Sequence, residues 1–265
     1  MKFSCEKALL QAAISTTSRA VSPKSSIPAL EGILLEAGSD LRLTGYNLET
    51  GIRTIVPADI REEGTLVLGA RLFGEIVRKL PDDIVTFQSE NYMVNIKCGM
   101  SEFNILGTDP EEFPELPTVE YQNSLILPQS RLKAMISQTL FAVSDNESRP
   151  IHTGTLFSVG EDGLTMVAVD GFRLALRREA LAEQNGSFEF VVPGVSLSEV
   201  EKICRDNQVE ITDEKSWHMA ELVKIKNGEE YTSAMIKDYS SSDVVFFDVI
   251  RLADYNQLTG ERLEL

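Results

Sequence analysis

The chain repeats itself. Ala20-Val21-Ser22 recurs as Ala142-Val143-Ser144 and Ile14-Ser15 as Ile136-Ser137, each 122 positions later. At the same offset Pro28 meets Pro150, Gly32 meets Gly154, Leu34-Leu35 meets Leu156-Phe157, and Gly38-x-Asp40 meets Gly160-x-Asp162. One extra residue, Gly163, moves the match to 123, so that Leu41 meets Leu164 and Asn47 meets Asp170. By Glu75-Ile76 against Glu199-Val200 the offset is 124. Small insertions at turns with the apolar positions preserved are the mark of a duplicated domain. The period is far too long for a solenoid, so each copy must carry its own core. Tandem copies of one fold point to a molecule built by symmetry, and so to an architectural role.

Composition permits this. A chain of 265 residues with 43% hydrophobic content can bury two ordinary cores, and 25% charged residues suit a globular protein. No apolar run approaches the roughly 18 residues of a membrane span, and the chain opens directly on strand-like Lys2-Phe3-Ser4. The expectation is a cytoplasmic protein without signal peptide or membrane contact. Cys5, Cys98 and Cys204 lie far apart without CxxC spacing, which reads as buried free thiols rather than disulfides or a metal site.

A net charge of -16 opposes simple nucleic-acid binding. The opposition is weaker than the total suggests, because the charges are unevenly distributed. Helical segments 6–24, 70–80 and 128–144 each carry a net +2 and segment 196–205 is balanced, leaving -22 for the rest of the chain. Charges sorted in this way matter beyond a Debye length of roughly 8 Å. The competing explanation is that helices favour Lys and Arg for propensity reasons.

Within the first repeat a strand at Lys2–Cys5 precedes a helix whose Leu10, Ile14, Thr17 and Val21 form one apolar stripe. Gln11, Ala12, Ser15 and Arg19 occupy its other face, and Ser22-Pro23-Lys24-Ser25-Ser26 ends it. Strands are expected at Ala29–Glu36, Asp40–Tyr46 and Glu49–Val56. The unit then restarts: strand Gly64–Gly69, helix Ala70–Leu80, strands Ile84–Ser89, Tyr92–Cys98 and Ser101–Leu106. Phe73, Ile76, Val77 and Leu80 make the second helix's stripe, with Arg71 and Arg78 opposite. Each repeat is thus two copies of strand-helix-three strands. The acidic, proline-rich stretch Asp109–Pro117 cannot continue a sheet, which places the domains at 1–124 and 125–239.

The second repeat follows with a helix at Gln129–Phe141, strands to Leu176, a strand at Glu189–Val192 and a helix at Leu197–Cys204. It diverges after about residue 205. Val209-Glu210-Ile211 answers Val85–Phe87, and Val223–Gly228 answers Val94–Gly99. Residues 240–265 form an unassigned tail whose Val244–Leu252 run is expected to be buried, as an added strand or at an interface.

MKFSCEKALLQAA at the start, IPALEGILLEA at 27–37, LTGYNLETGI at 43–52 and LTMVAVDGFRLALRR at 164–178 resemble the bacterial DNA polymerase III beta subunit, the DNA sliding clamp family. The resemblance is good over residues 1–205 and ends near 239. It implies an α+β DNA clamp fold, with tandem domains placing helices on a concave inner face and sheets outside. It also implies a processivity factor that encircles double-stranded DNA without sequence readout and tethers the replicative polymerase, a non-catalytic role with no cofactor. Partners would be DNA, DNA polymerase III and clamp-loader subunits bearing short peptides, and further copies of the chain in a homo-oligomer. The charge sorting then acquires a purpose, basic helices facing phosphate while the acidic exterior repels it.

Position by position, Lys24 matches the loop residue that touches DNA in the family, and Arg149 stands in the corresponding loop of the second repeat. Arg19, Arg71, Arg78, Lys79, Arg131, Lys133 and Lys202 complete the candidate DNA-facing set. The family's peptide pocket maps to Val169, Gly171, Phe172, Arg173 and Leu174, with His152 beside them. Phe172 replaces the usual His and Val169 the usual Thr, so the rim is more apolar. Asp170-Gly171 also reads simply as a hairpin turn. Family members carry three such domains and close as head-to-tail dimers. This chain shows two, so alternatives are three two-domain subunits in one ring, or a truncated protein-binding module that forms none. An enzyme finds no support: His152 and His218 lack metal or triad spacing, and no phosphate-binding glycine loop is present.

Overall fold

The computed structural model describes residues 1–116, 124–181, 183–204, 219–227, 230–239 and 242–248. Two compact units divide the chain: Met1–Pro117 with Asp213–Val223, and Thr118–Thr212 with Lys224–Leu265. We call them unit 1 and unit 2.

Unit 1 runs β1 (Lys2–Glu6), α1 (Lys7–Thr17), β2 (Gly32–Ala37), β3 (Leu41–Tyr46), β4 (Thr50–Val56) and β5 (Asp59–Glu62). It continues with β6 (Gly64–Gly69), α2 (Ala70–Lys79), β7 (Ile84–Glu90), β8 (Met93–Cys98) and β9 (Ser101–Leu106). Strands pair antiparallel in the order β5-β1-β7-β8-β9 and, in a second sheet, β4-β3-β2-β6. Alternation explains the layering. Leu41 and Leu43 of β3 are buried around exposed Arg42, and Val85 and Phe87 of β7 alternate with exposed Ile84 and Thr86. The inward residues meet Leu10, Ala13 and Ile14 of α1 and Phe73, Ile76 and Val77 of α2 in one core. Phe87 anchors it, stacked on Phe3 at 4.6 Å and met edge-on by Phe73 at 6.4 Å. Helices α1 and α2 lie against each other, and a Cβ on Gly74 would sit 3.4 Å from Ile14 Cγ2. Cys5 is buried here, which together with neighbouring Glu6 pushes its thiol pKa up to about 12.

Unit 2 runs β10 (Ser124–Pro128), α3 (Gln129–Thr139), β11 (Gly154–Gly160), β12 (Gly163–Val169), β13 (Leu174–Glu179), β14 (Glu183–Asn185) and β15 (Phe188–Pro193). Then come α4 (Gly194–Ile203), β16 (Met219–Asn227, of which unit 2 holds the part from Lys224 onward), β17 (Glu230–Tyr239) and β18 (Ser242–Asp248). One sheet has the order β13-β12-β11-β15, matching β4-β3-β2-β6, and α3 packs on α4 as α1 does on α2. The other strands run β14-β10-β18-β17-β16.

The repeat extends to atoms. Thr17 Oγ1 donates to the carbonyls of Ala13 and Ile14 at 2.8 and 3.3 Å, and Thr139 Oγ1 to those of Met135 and Ile136 at 2.9 and 3.4 Å. Both threonines are fully buried, and a 3-10 turn follows each, Ser18–Ala20 and Leu140–Ala142. The amide of Ser22 then bonds the carbonyl of Leu30, and that of Ser144 the carbonyl of His152. Gly32 and Gly154 face the same obstacle. A Cβ on either would lie 2.4–2.5 Å from a valine methyl of the neighbouring strand, Val67 or Val191.

Several expectations need correction. Val21 is not on a helical stripe: the Thr17 hydroxyl and the 3-10 turn end α1 first, leaving Val21 extended beside the core. Pro28–Glu31 is a 3-10 turn, so the strand expected from Ala29 starts at Gly32. Helix α4 starts at Gly194, three residues before Leu197, and β13 continues past Leu176 to Glu179. Strand β5 is not announced by the sequence, its Asp59-Ile60-Arg61-Glu62 being largely exposed and without an apolar alternation. Val223–Lys226 does form part of a strand, β16, but two strands separate it from β10, whereas only β7 separates its expected counterpart β8 from β1. Val244–Asp248 forms part of β18, inserted between β10 and β17. Val209–Ile211, His218, Gly228 and Val249–Leu252 lie outside the described residues.

Candidate DNA-facing helices and peptide pocket

The helix pair of unit 1 carries its cations at defined places. Arg71 is exposed in the first turn of α2 and pairs with Glu75 at 3.3 Å. Arg78 and Lys79 occupy the last turn, exposed, with no ion-pair partner among the described residues. There they complement the negative end of the helix dipole. Arg19 is half-buried in the 3-10 turn after α1, and Lys24 is exposed in the following loop, where Ser22 Oγ donates to its carbonyl.

Unit 2 repeats the placement with less free charge. Exposed Arg131 on α3 meets Glu179 of β13 at 3.5 Å, and Lys202 in the last turn of α4 meets Glu199 at 2.6 Å. Lys133 is half-buried, and Arg149 is exposed at the head of the 3-10 turn Pro150–Thr153. A further difference was not expected. Phe141, 58% exposed, stands where Arg19 does, and Val195, 82% exposed, where Arg71 does. Both substitutions are visible in the aligned repeats, at offsets 122 and 124.

The pocket candidates centre on the turn joining β12 to β13. Asp170 Oδ1 accepts the amides of Phe172 and Arg173 at 2.9 and 2.8 Å, while Oδ2 takes Arg173 Nε at 2.8 Å and pairs with Nη2 at 2.7 Å. These amide bonds, then the guanidinium, lower the Asp170 pKa to about 2. Gly171 adopts φ +92°, the left-handed conformation that side chains resist. The turn presents Phe172 98% exposed, and Leu174 and Leu176 continue the apolar edge around buried Ala175. Leu156 pairs with Val167, so Gly154 is level with Val169 at one end of the sheet. His152, half-buried two residues before Gly154, therefore belongs to the same end as the turn. Asn47 builds the equivalent turn in unit 1, its Oδ1 accepting the amides of Glu49 and Thr50 at 3.0 and 2.6 Å, with Leu48 at φ 72° in place of Gly171.

Paired helices on antiparallel sheets, repeated in tandem, define a clamp-type fold, and comparison with known proteins gives the same class. Residues 1–117 match the N-terminal domain of the DNA polymerase III beta subunit, and residues 126–237 its central domain. The beta sliding clamp of Bacillus subtilis (strain 168) is 38% identical over 238 residues, covering 86% of this chain and 63% of its own length. The crystal structure of the Bacillus subtilis polymerase sliding clamp superposes with a TM-score of 0.78 at 32% identity, over 100% of this chain and 68% of that one. A putative DNA polymerase III beta subunit from Eubacterium rectale gives 0.77 at 30% identity, over 98% and 69%. This chain belongs to the DNA polymerase III beta subunit family, the beta sliding clamps. It spans under two thirds of the length of the curated relatives it matches, 63% of the Bacillus subtilis protein.

Proposed function

We propose that the chain is a subunit of a sliding clamp, a non-catalytic cytoplasmic processivity factor that assembles with further copies around duplex DNA and tethers the replicative polymerase. The observation that carries this reading is the repeated helix pair with exposed cations at its ends, above all Arg78 and Lys79. Lys and Arg on helix surfaces meet phosphate without reading bases, as sliding requires. Arg19, Lys24, Arg71, Arg131, Lys133, Arg149 and Lys202 would serve the same surface. Polymerase III and clamp-loader peptides would dock beside the β12–β13 turn, on Val169, Gly171, Phe172, Arg173, Leu174 and His152. An exposed Phe on a turn braced by Asp170 suits an apolar peptide anchor.

Retention on nicked circular DNA tests the reading. Complexes should survive on the circle and run off when it is linearised, and light scattering should give a mass above that of one 29.4 kDa chain. Equal retention on linear DNA, or a monomer at every concentration, sinks the ring.

A further inference from the structure

The segment after β9 folds back onto unit 1. Thr108 pairs antiparallel with Val67 of β6, the two N–H···O bonds measuring 3.1 and 2.9 Å. Tyr92 donates its hydroxyl to Asp109 Oδ2 at 2.9 Å, and Asp109 Oδ1 caps the 3-10 turn Pro110–Glu112. Beyond the turn, Phe113 is 7% exposed in a small cluster with Leu30, Tyr46 and Val67, against which Leu116 also packs. Leu116 lies over Gly51, where an added Cβ would meet its Cδ2 at 2.3 Å.

The repeat identifies this location. Leu30, Tyr46, Gly51 and Val67 correspond to His152, Val169, Leu174 and Val191. Tyr46 pairs with Gly51 across β3–β4 just as Val169 pairs with Leu174 across β12–β13. Unit 2 carries a leucine, 57% exposed, where unit 1 carries a glycine covered by Leu116. We propose that unit 1 holds a second peptide-docking site, built on the same plan, and that the connector Asp109–Leu116 is its resident occupant. The proposal takes from the peptide reading of unit 2 only the location.

The connector docks as an added strand does, with main-chain bonds to a sheet edge and two apolar side chains, three residues apart, seated on the adjoining face. Its fit is incomplete. A cleft of ≈ 450 Å³ stays open between it and Glu36, Arg53 and Thr65. Glu36 Oε2, buried there, accepts no hydrogen bond among the described residues. A tethered segment present at an effective concentration near millimolar excludes peptides of comparable affinity. The ligand class is thus an extended peptide presenting an aromatic and an aliphatic side chain three residues apart, and the site opens to it only when the connector leaves.

The test uses a labelled peptide copying residues 109–117, titrated into the full chain and its Phe113→Ala/Leu116→Ala variant. The variant should bind it at least ~10-fold more tightly than the wild type, with an NMR footprint on Tyr46, Gly51 and Val67. A peptide with the same two alanines should not bind. Adding Phe172→Ser and Leu174→Ser must leave the gain intact; if it disappears, the peptide was sitting on unit 2 and the proposal falls. A folded variant with wild-type affinity also overturns it. Should the double variant unfold, Gly51→Ala displaces Leu116 alone. Its connector amides should then exchange roughly 10-fold faster or more, and unchanged protection refutes the proposal. Failure of polymerase peptides to bind unit 2 would touch only the pocket proposed for that unit.

Discussion

Asp170 and Asn47 stand at the same place in the two repeats and do the same backbone work, yet only Asp170 titrates. Its carboxylate is held at a pKa of about 2 against an ordinary 3.8, mainly by the Phe172 and Arg173 amides and then by the Arg173 side chain. A group whose folded pKa is depressed adds stability above its unfolded pKa and loses it as pH falls through the folded one. The β12–β13 turn should therefore loosen as pH falls from 3.8 towards 2, while the Asn47 turn stays unchanged. Amide NMR signals of Phe172 and Arg173, followed against those of Glu49 and Thr50, check this. An Asp170 midpoint near 3.8 would contradict it. Asp170→Asn should preserve both amide bonds, abolish the acid transition and release Arg173.

Elements explain what is legible in the sequence and what is not. Most helices and strands among the described residues up to Cys204 follow apolar periodicity, which burial enforces directly: Phe73, Ile76 and Val77 had to face inward together. The polar strands β5 and β14 do not follow it. The end of α1 is hidden because Thr17 looks like any helical residue until its hydroxyl back-bonds. Free charge on the helices is hidden for a similar reason. Glu179 lies on a strand, far in sequence from Arg131, yet sits 3.5 Å from it. The Asp170 turn is readable from its partner Asn47. Phe141 and Val195 in the places of Arg19 and Arg71 are equally present in the offsets, but counting charge segment by segment conceals them. Gly32 and Gly154 record the duplication in space as well as in sequence. Gly154→Ala should cost about 1–3 kcal/mol, since the new Cβ meets Val191 and the Val192 carbonyl at 2.5 and 2.7 Å. Gly32→Ala should cost a similar amount, and Gly38→Ala, with nothing within 4 Å, close to none. Urea unfolding of the three variants checks this, and equal effects would remove the close-approach explanation.

For the whole molecule, net charge and the proposed function pull apart. A chain at -16 is repelled by DNA, so under the proposed function local cations would supply any attraction and assembly around DNA would supply persistence. These contributions respond differently to salt. Each phosphate contact adds about 0.9 to the slope of log affinity against log salt. Reversing Arg78 and Lys79 to glutamate should therefore flatten that slope by about 2 for linear duplexes, if each cation meets one phosphate, and weaken binding there. If the chain forms the proposed ring, escape from a nicked circle requires a ring interface to open, and neither residue need take part in that step. The lifetime on the circle should then match the wild type even in salt that strips both proteins from linear DNA. If the double reversal shortens both lifetimes equally, electrostatic contact holds the protein to DNA, and encirclement is not what its persistence depends on.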